Sequence, residues 1–144
     1  VATHQAGLGR GLFDMASLNA IHAQMHKLLS TVGGRIDAVF LCPHTPDDGC
    51  LCRPPLPGLF EQIGERFGVA LAGVPVASAG SDHLQAAAAA GCEPHLLVGD
   101  RSPPGSGQRL PPPYPAETKV HVDLGAFADF VIERDARLRI AAAA

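Results

Sequence analysis

The chain has 144 residues, of which 47% are hydrophobic and 17% are charged, and its formal net charge is −3. This length predicts a single domain spanning residues 1–144, and the apolar content is sufficient for a buried core. The negative charge balance argues against nucleic acid or an anionic membrane as the main partner. Since the sequence has no apolar run of roughly 20 residues and no signal-peptide pattern, we expect a soluble, cytoplasmic chain.

The first residues predict the end of a β-strand followed by a glycine-rich turn. The apolar start Val-Ala-Thr is followed by HQAGLGRG. Such a turn can present backbone N–H groups, together with Arg10, to a phosphate. A plain strand-to-helix loop explains the same residues equally well.

The rest of the chain alternates between helical and strand patterns. Apolar residues at spacings of three and four predict a helix over residues 16–30, which Asp14 or Ser17 could cap and which Gly33-Gly34 ends. The elements predicted after it are a strand at 38–41, a helix at 59–67, a strand at 74–77, a helix at 81–90, a strand at 95–98, a loop rich in proline and glycine at 99–118, a strand at 119–122 and a helix at 124–139. This alternation predicts a parallel α/β sheet covered on both faces, with the chemistry at the carboxyl ends of the strands.

The segment CPHTPDDGCLC contains three of the four cysteines and a histidine. Cys42, His44, Cys50 and Cys52 are soft or borderline ligands, and four such ligands suit a closed tetrahedral Zn2+ site. The TPDDG between them is a turn sequence that can fold the second pair back on the first. A disulfide is disfavoured because cysteines two residues apart bridge poorly and a cytoplasmic chain keeps its thiols reduced, and a redox pair more often reads C-x-x-C. We therefore predict a structural zinc site, with ordinary loop cysteines as the alternative, and we expect the isolated Cys92 to be a buried small hydrophobic residue.

His22 and His26 lie four residues apart on the first predicted helix. Such a pair can bind a metal, but no acidic residue or third ligand is evident nearby. We therefore predict that both are ordinary, half-exposed helix residues.

Three motifs, VATHQAGLGRGLFD, CPHTPDDGCLCRPPLPG and GVPVASAGSDHLQAAAAAGC, occur in an order and spacing that resemble the zinc-containing, histidinol-phosphatase-like branch of the haloacid dehalogenase superfamily. The resemblance covers residues 1–98 clearly and the remainder loosely. It implies a Rossmann-like parallel sheet with helices on both faces and a zinc loop. It also implies a Mg2+-dependent phosphomonoesterase that hydrolyses sugar bisphosphates, such as heptose 1,7-bisphosphate, on the way to lipopolysaccharide or glycoprotein heptose. The expected partner is then a small sugar phosphate, and we expect a monomer.

The resemblance further implies roles for individual residues. Thr3 matches the hydroxyl that steadies the phosphoryl group and so contributes to catalysis. Arg53 matches the arginine that recognises the substrate, for which its planar guanidinium is suited. His4, Gln5 and Ala6 fill a substrate-contacting stretch that usually reads Asn-Gln-Ser. The zinc ligands of the family are all matched, by Cys42, His44, Cys50 and Cys52.

The chain departs from the family pattern at several catalytic positions. Pro54 stands where the family has a lysine, Ala79 stands where it has the aspartate that completes the Mg2+ site, and His83 replaces a later acid of that loop. Asp82 is three positions late and is not assigned as a ligand. The 144 residues contain no Asp-x-Asp, the motif that carries the nucleophile and the acid/base, and we expect the first strand of the fold to be missing.

These departures predict a phosphatase of the heptose bisphosphate type whose turnover is impaired. The alternative is a non-catalytic, zinc-stabilised relative that binds a sugar phosphate or a partner protein. A zinc module for nucleic acid is disfavoured, because few basic residues surround the cysteines. The first two hypotheses differ in whether an upstream segment supplies an Asp-x-Asp strand.

Overall fold

The computed structural model describes residues 1–100 and 110–143. In chain order the elements are β1 (Ala2–His4), α1 (Ala6–Gly9), α2 (Met15–Ser30), β2 (Phe40–Cys42), a 3-10 helix (Pro46–Asp48), α3 (Gly58–Phe67), β3 (Pro75–Ser78), α4 (Ser81–Ala89), β4 (Glu93–Leu97), β5 (Lys119–His121) and α5 (Leu124–Ala142). The predicted order of strands and helices is confirmed, with boundaries shifted by a few residues. The loop predicted at 99–118 falls partly on residues 101–109, which lie outside the described residues.

Backbone contacts divide the chain into two compact units, unit 1 (Val1–Arg53) and unit 2 (Pro54–Ala144). The single domain predicted from the chain length stays a prediction. Unit 1 contains a two-stranded parallel sheet in which β1 pairs with β2 and His4 lies opposite Cys42. Strand β2 begins at Phe40, two residues later than predicted, where the Phe40 N–H donates to the Val1 carbonyl at 2.8 Å. Because the strands are parallel, their carboxyl ends lie at the same edge of the sheet.

The long helix of unit 1, α2, begins at a side-chain cap. The Asp14 carboxylate accepts a hydrogen bond from the Ser17 N–H at 2.8 Å, which satisfies one of the N–H groups that the first turn leaves unpaired. Asp14, and not Ser17, is therefore the cap. At the other end, the Gly34 N–H donates to the Leu29 carbonyl at 2.9 Å and closes the helix near the predicted glycine pair.

Unit 2 contains a three-stranded parallel sheet in the order β3-β4-β5, with Ser78 opposite Leu96. One face of this sheet packs on α4, where Leu84, Leu96 and Val98 form a buried apolar cluster. Cys92, which precedes β4, is 6% exposed and is a free thiol. The prediction that Cys92 is a buried small hydrophobic residue is confirmed.

The opposite face of the sheet packs on α5 through contacts between histidine and phenylalanine rings. Side chains alternate along a strand, so His95 lies on the face away from Leu96. The ring centroid of His95 lies 5.0 Å from that of Phe127 and 5.2 Å from that of Phe130, both on α5. His121 of β5 stacks on His95 with a centroid separation of 5.0 Å. Helices therefore cover both faces of the unit 2 sheet, and the predicted parallel α/β class is confirmed.

The last helix, α5, continues to Ala142, three residues beyond its predicted end. The extension, Ile140 to Ala142, contains two alanines and neither glycine nor proline, so nothing in the local sequence stops the helix at residue 139. Among the helices in the described part of the chain, none combines the length and the hydropathy that a bilayer span requires.

Candidate metal centre and phosphate-binding turn

The candidate site is built at the edge where β1 and β2 end. Strand β1 ends at His4 and leads into the short helix α1, while β2 ends at Cys42 and leads into the segment that contains the other cysteine ligands. The Gln5 N–H donates to the Cys42 carbonyl at 2.9 Å, which extends the parallel ladder by one bond. In parallel α/β sheets this edge is where substrates and ions bind.

The side chains of Thr3 and Gln5 form a hydrogen bond at this edge. The Gln5 side-chain amide donates to the Thr3 hydroxyl oxygen at 3.0 Å. A threonine hydroxyl has a single proton, and accepting from Gln5 leaves that proton available for another acceptor. A phosphoryl oxygen is an acceptor of this kind.

Cys42, His44, Cys50 and Cys52 come together in a compact cluster whose ligand atoms all lie within 4.8 Å of one another. The Cys42 Sγ lies 3.8 Å from the Cys50 Sγ and 3.7 Å from the His44 Nδ1, which is 3.2 Å from the Cys52 Sγ. Zn–S bonds of about 2.3 Å at tetrahedral angles place neighbouring sulfurs about 3.8 Å apart. The four donors therefore fit a tetrahedral zinc ion in both type and spacing.

All four cysteines of the chain are free thiols. The 3.8 Å between the sulfurs of Cys42 and Cys50 is far longer than the S–S bond of about 2.05 Å. The two sulfurs are therefore not bonded to each other. Cysteines that merely happened to lie in a loop would not converge with an imidazole on one point, so the geometry favours the metal site over ordinary loop cysteines.

A capped 3-10 turn folds the second pair of ligands back on the first. The Thr45 N–H and the Thr45 hydroxyl both donate to the Asp48 carboxylate, at 2.6 Å and 2.9 Å. These bonds, the backbone one above all, lower the pKa of Asp48 and keep it ionised. Gly49 follows with φ of 61°, a left-handed conformation that side chains rarely adopt. The chain thus reverses between His44 and Cys50, as the TPDDG sequence predicts.

The Cys52 thiol is a poor acid when no cation is present. Burial, followed by hydrogen bonds with Cys42 and Cys50, raises the pKa of Cys52 to about 12. The main cause is loss of hydration of the thiolate on burial, and repulsion from the sulfurs of Cys42 and Cys50 adds to it. A metal cation reverses this preference because the thiolate is the form that binds it. Metal binding at this cluster would therefore release protons.

The remaining predicted site residues are divided between the units. In unit 1, Ala6 is the first residue of α1, and the half-buried Arg53 directly follows the ligand Cys52. In unit 2, Pro54 is buried and Ala79 is exposed at the carboxyl end of β3. The methyl group of Ala79 offers no ligand atom for a cation.

The histidine pair on α2 is not part of the Cys/His cluster. His22 is half-buried and His26 is exposed. Among residues 1–100 and 110–143, three or more metal-binding side chains come close together in the Cys/His cluster. Neither His22 nor His26 belongs to it. That both are ordinary helix residues stays a prediction.

A charged network on the α5-facing side of unit 2 was missed by the sequence analysis. The buried His95 donates through Nε2 to the Glu93 carboxylate at 2.8 Å, and its Nδ1 lies 2.8 Å from the Nε2 of His121. Lys119 and Arg134 pair with the same Glu93 oxygen at 2.8 Å and 3.5 Å. Since the carboxylate can only accept, a neutral His95 carries its proton on Nε2 and accepts from His121 at Nδ1. The available signal was the alternation of polar residues, Glu93 and His95 in β4 and Lys119 and His121 in β5.

Comparisons with known proteins agree with the geometry. No family model matches the chain. It is 48% identical over 135 residues to the D-glycero-β-D-manno-heptose-1,7-bisphosphate 7-phosphatase of Bordetella bronchiseptica, covering 92% of this chain and 73% of that protein. The protein of the same name from Pseudomonas aeruginosa is 41% identical over 134 residues, covering 92% of this chain and 72% of that protein. A crystal structure of D,D-heptose 1,7-bisphosphate phosphatase from B. bronchiseptica, complexed with magnesium and phosphate, matches with a TM-score of 0.82 at 48% identity, covering 92% of this chain and 73% of that one.

Parallel strands flanked by helices, a Cys/His cluster at the end of one strand and the match to the solved phosphatase together identify a haloacid dehalogenase-like α/β protein. The resemblance of the three motifs to that superfamily is therefore confirmed. Within it, the chain belongs to the D-glycero-β-D-manno-heptose-1,7-bisphosphate 7-phosphatase family.

Proposed function

We propose that this chain binds a heptose 1,7-bisphosphate and that the reaction of its site is hydrolysis of the 7-phosphate. The observation that carries the proposal is the Thr3 hydroxyl of β1, which accepts a hydrogen bond from the Gln5 side chain and keeps its own proton for a phosphoryl oxygen. Hydrogen-bond donors aimed at the transferring group are what phosphoryl transfer requires. The family to which the chain belongs supports the choice of sugar.

Arg53 has the second role in this proposal, recognition of the substrate. Its guanidinium can donate two parallel hydrogen bonds to a phosphate or to neighbouring sugar hydroxyls. Its backbone adjoins that of Cys52, so whatever orders the Cys/His cluster also orders Arg53. We therefore assign zinc a structural role, as a cross-link that fixes the loop carrying the arginine.

The donor set of that cluster supports zinc in this role. Cys42, His44, Cys50 and Cys52 would be its four ligands, and four protein ligands leave no open position for water or substrate. When bound, zinc supplies folding free energy to the loop and keeps the thiols ionised. Thiolate ligands persist in a reducing compartment, which supports our placement of the protein in the cytoplasm, where we expect it to act as a monomer.

Mg2+, the second ion that the resemblance implies, does not fit the residue present at its expected position. Ala79 has a methyl group where a carboxylate is needed, and Pro54 has no cation to offset the charge of a phosphate. We therefore derive no step through Mg2+ and propose that turnover is slow. Loss of a single preorganised charge-stabilising contact costs on the order of 100-fold in rate.

These two positions also favour the second candidate function, a non-catalytic relative that binds a sugar phosphate or a partner protein. Proline and alanine would be neutral substitutions in a protein that needs only to bind. The two candidates differ in a single outcome, the release of inorganic phosphate.

The experiment measures phosphate release from D-glycero-β-D-manno-heptose 1,7-bisphosphate with Mg2+ present. Four proteins are compared. They are the unmodified chain and the Pro54→Lys, Ala79→Asp double variant, each with and without an added N-terminal strand that ends in Asp-x-Asp. The proposal predicts slow release by the unmodified chain and faster release by the double variant with the added strand. Thr3→Val, which keeps the shape and removes the hydroxyl, should abolish that gain, whereas Thr3→Ser should retain it. Sugar bisphosphate binding without release by any of these proteins would favour the non-catalytic relative.

A further inference from the structure

The imidazole of His4 forms a hydrogen bond with the backbone of the Cys/His loop. Its Nε2 lies 3.0 Å from the backbone carbonyl oxygen of His44, a candidate zinc ligand forty residues away in sequence. A carbonyl oxygen can only accept a hydrogen bond, so the His4 Nε2 carries a proton and donates it. The family stretch that this residue fills is one of substrate contacts, but here the nitrogen at the tip of the ring already has a partner.

Two residues that follow His4, Gln5 and Gly9, also contact the segment that begins at the ligand Cys42. The Gln5 N–H donates to the Cys42 carbonyl at 2.9 Å. A Cβ on Gly9 would lie 2.5 Å from the Pro43 carbonyl oxygen. The two backbones are therefore so close that a residue with a side chain would not fit at position 9 without a shift. Three consecutive carbonyls, at residues 42, 43 and 44, are thus each contacted from within residues 4–9, by Gln5, Gly9 and His4 respectively.

We propose that His4 is a positioning residue that holds the metal-binding loop of this protein, and that it does not contact substrate through its Nε2. Its hydrogen bond fixes the backbone of His44, whose side chain then presents Nδ1 to the cluster, 3.2 Å from the Cys52 Sγ. A ligand held in place before the metal binds loses less conformational freedom when it binds, and its metal is released more slowly. The inference rests on the proposed zinc centre and not on the proposed reaction.

The test compares the rate of zinc release from the native chain, His4→Ala and His4→Gln, followed as transfer to a chromogenic chelator. The Gln side chain carries an N–H donor at about the position of the His Nε2, so His4→Gln should release zinc at close to the native rate. His4→Ala loses the hydrogen bond and should release zinc about three to ten times faster. His26→Ala, which removes an exposed histidine of α2, is the matched control and should leave the rate unchanged.

A second measurement separates positioning from a general loss of stability and from substrate binding. The thermal unfolding midpoint of zinc-loaded His4→Gln and native chains should agree, and the affinity of each variant for inorganic phosphate is measured by calorimetry. Equal zinc release from all variants, or a loss of phosphate affinity in His4→Ala with zinc release unchanged, would overturn the role of His4. A native chain that holds no zinc would overturn the proposed zinc centre and the positioning role together.

Discussion

Replacing His95 with alanine is expected to lower the free energy of unfolding of unit 2 by about 4 kcal/mol. His95 is fully buried, and its ring lies between β4 and the aromatic residues Phe127 and Phe130 of α5. The substitution removes these ring contacts. It also removes the two hydrogen bonds that the imidazole makes, one with Glu93 and one with His121.

The magnitude follows from these contacts. Truncating a large buried side chain to alanine costs roughly 2 kcal/mol at the low end of the observed range, which suits a ring that is partly polar. A hydrogen bond to an ionised group contributes about 1.5 kcal/mol, and one between neutral groups contributes about 0.5 kcal/mol or more. Glu93 keeps its ion pairs with Lys119 and Arg134, so no charge is left buried without a partner and the total stays near 4 kcal/mol.

The assay uses the tyrosine of the chain as a local probe. The sequence has one tyrosine, Tyr114, and no tryptophan, and Tyr114 packs against the apolar cluster on the α4-facing side of the unit 2 sheet. Urea unfolding followed by tyrosine fluorescence therefore reports on unit 2. His26→Ala, on an exposed position of α2, is the control and should change the free energy by less than about 0.5 kcal/mol. A loss below about 1 kcal/mol for His95→Ala would refute the view that this ring holds α5 to the sheet.

Three further predictions concern acid, packing and metal. Burial above all lowers the pKa of both His95 and His121 from 6.5, so below that pH the unfolded chain binds more protons than the folded one. The free energy of unfolding of unit 2 should therefore fall as the pH drops below 6.5, and a flat profile between about pH 7 and pH 5 would contradict this. Gly9→Ala should destabilise unit 1 by about 1–3 kcal/mol, because its Cβ would meet the Pro43 backbone oxygen. An unchanged thermal unfolding curve by circular dichroism would show that the backbone at Gly9 shifts at no cost and would contradict this prediction. Elemental analysis should find one zinc per native chain and far less in Cys50→Ser, and equal contents would exclude Cys50 as a ligand.

The metal cluster could be predicted from the sequence because its geometry is local. The four ligands lie within residues 42–52, and the turn between them needs only its own capping bonds and one glycine. The order of strands and helices could also be predicted from the sequence, because apolar periodicity and a cap such as Asp14 act over a few residues. Strand ends were less accessible, because they depend on the partner strand. Phe40 begins β2 where its N–H meets the Val1 carbonyl.

What the sequence determined by itself is therefore the alternation of elements, the ligand loop and the family, all of which are encoded in short-range patterns. Only the tertiary structure decided the roles of the isolated histidines. The substrate-contacting role that the motif implies for His4 stays a prediction, and the structure adds that its ring reaches the carbonyl of His44. The buried His95 is the centre of a network shared with β5 and α5. An imidazole donates or accepts according to the groups placed beside it, and two of these groups, the His44 carbonyl beside His4 and His121 beside His95, are 40 and 26 residues distant in sequence. No local pattern can specify such a partner, because the pairing exists only after the strands have come together.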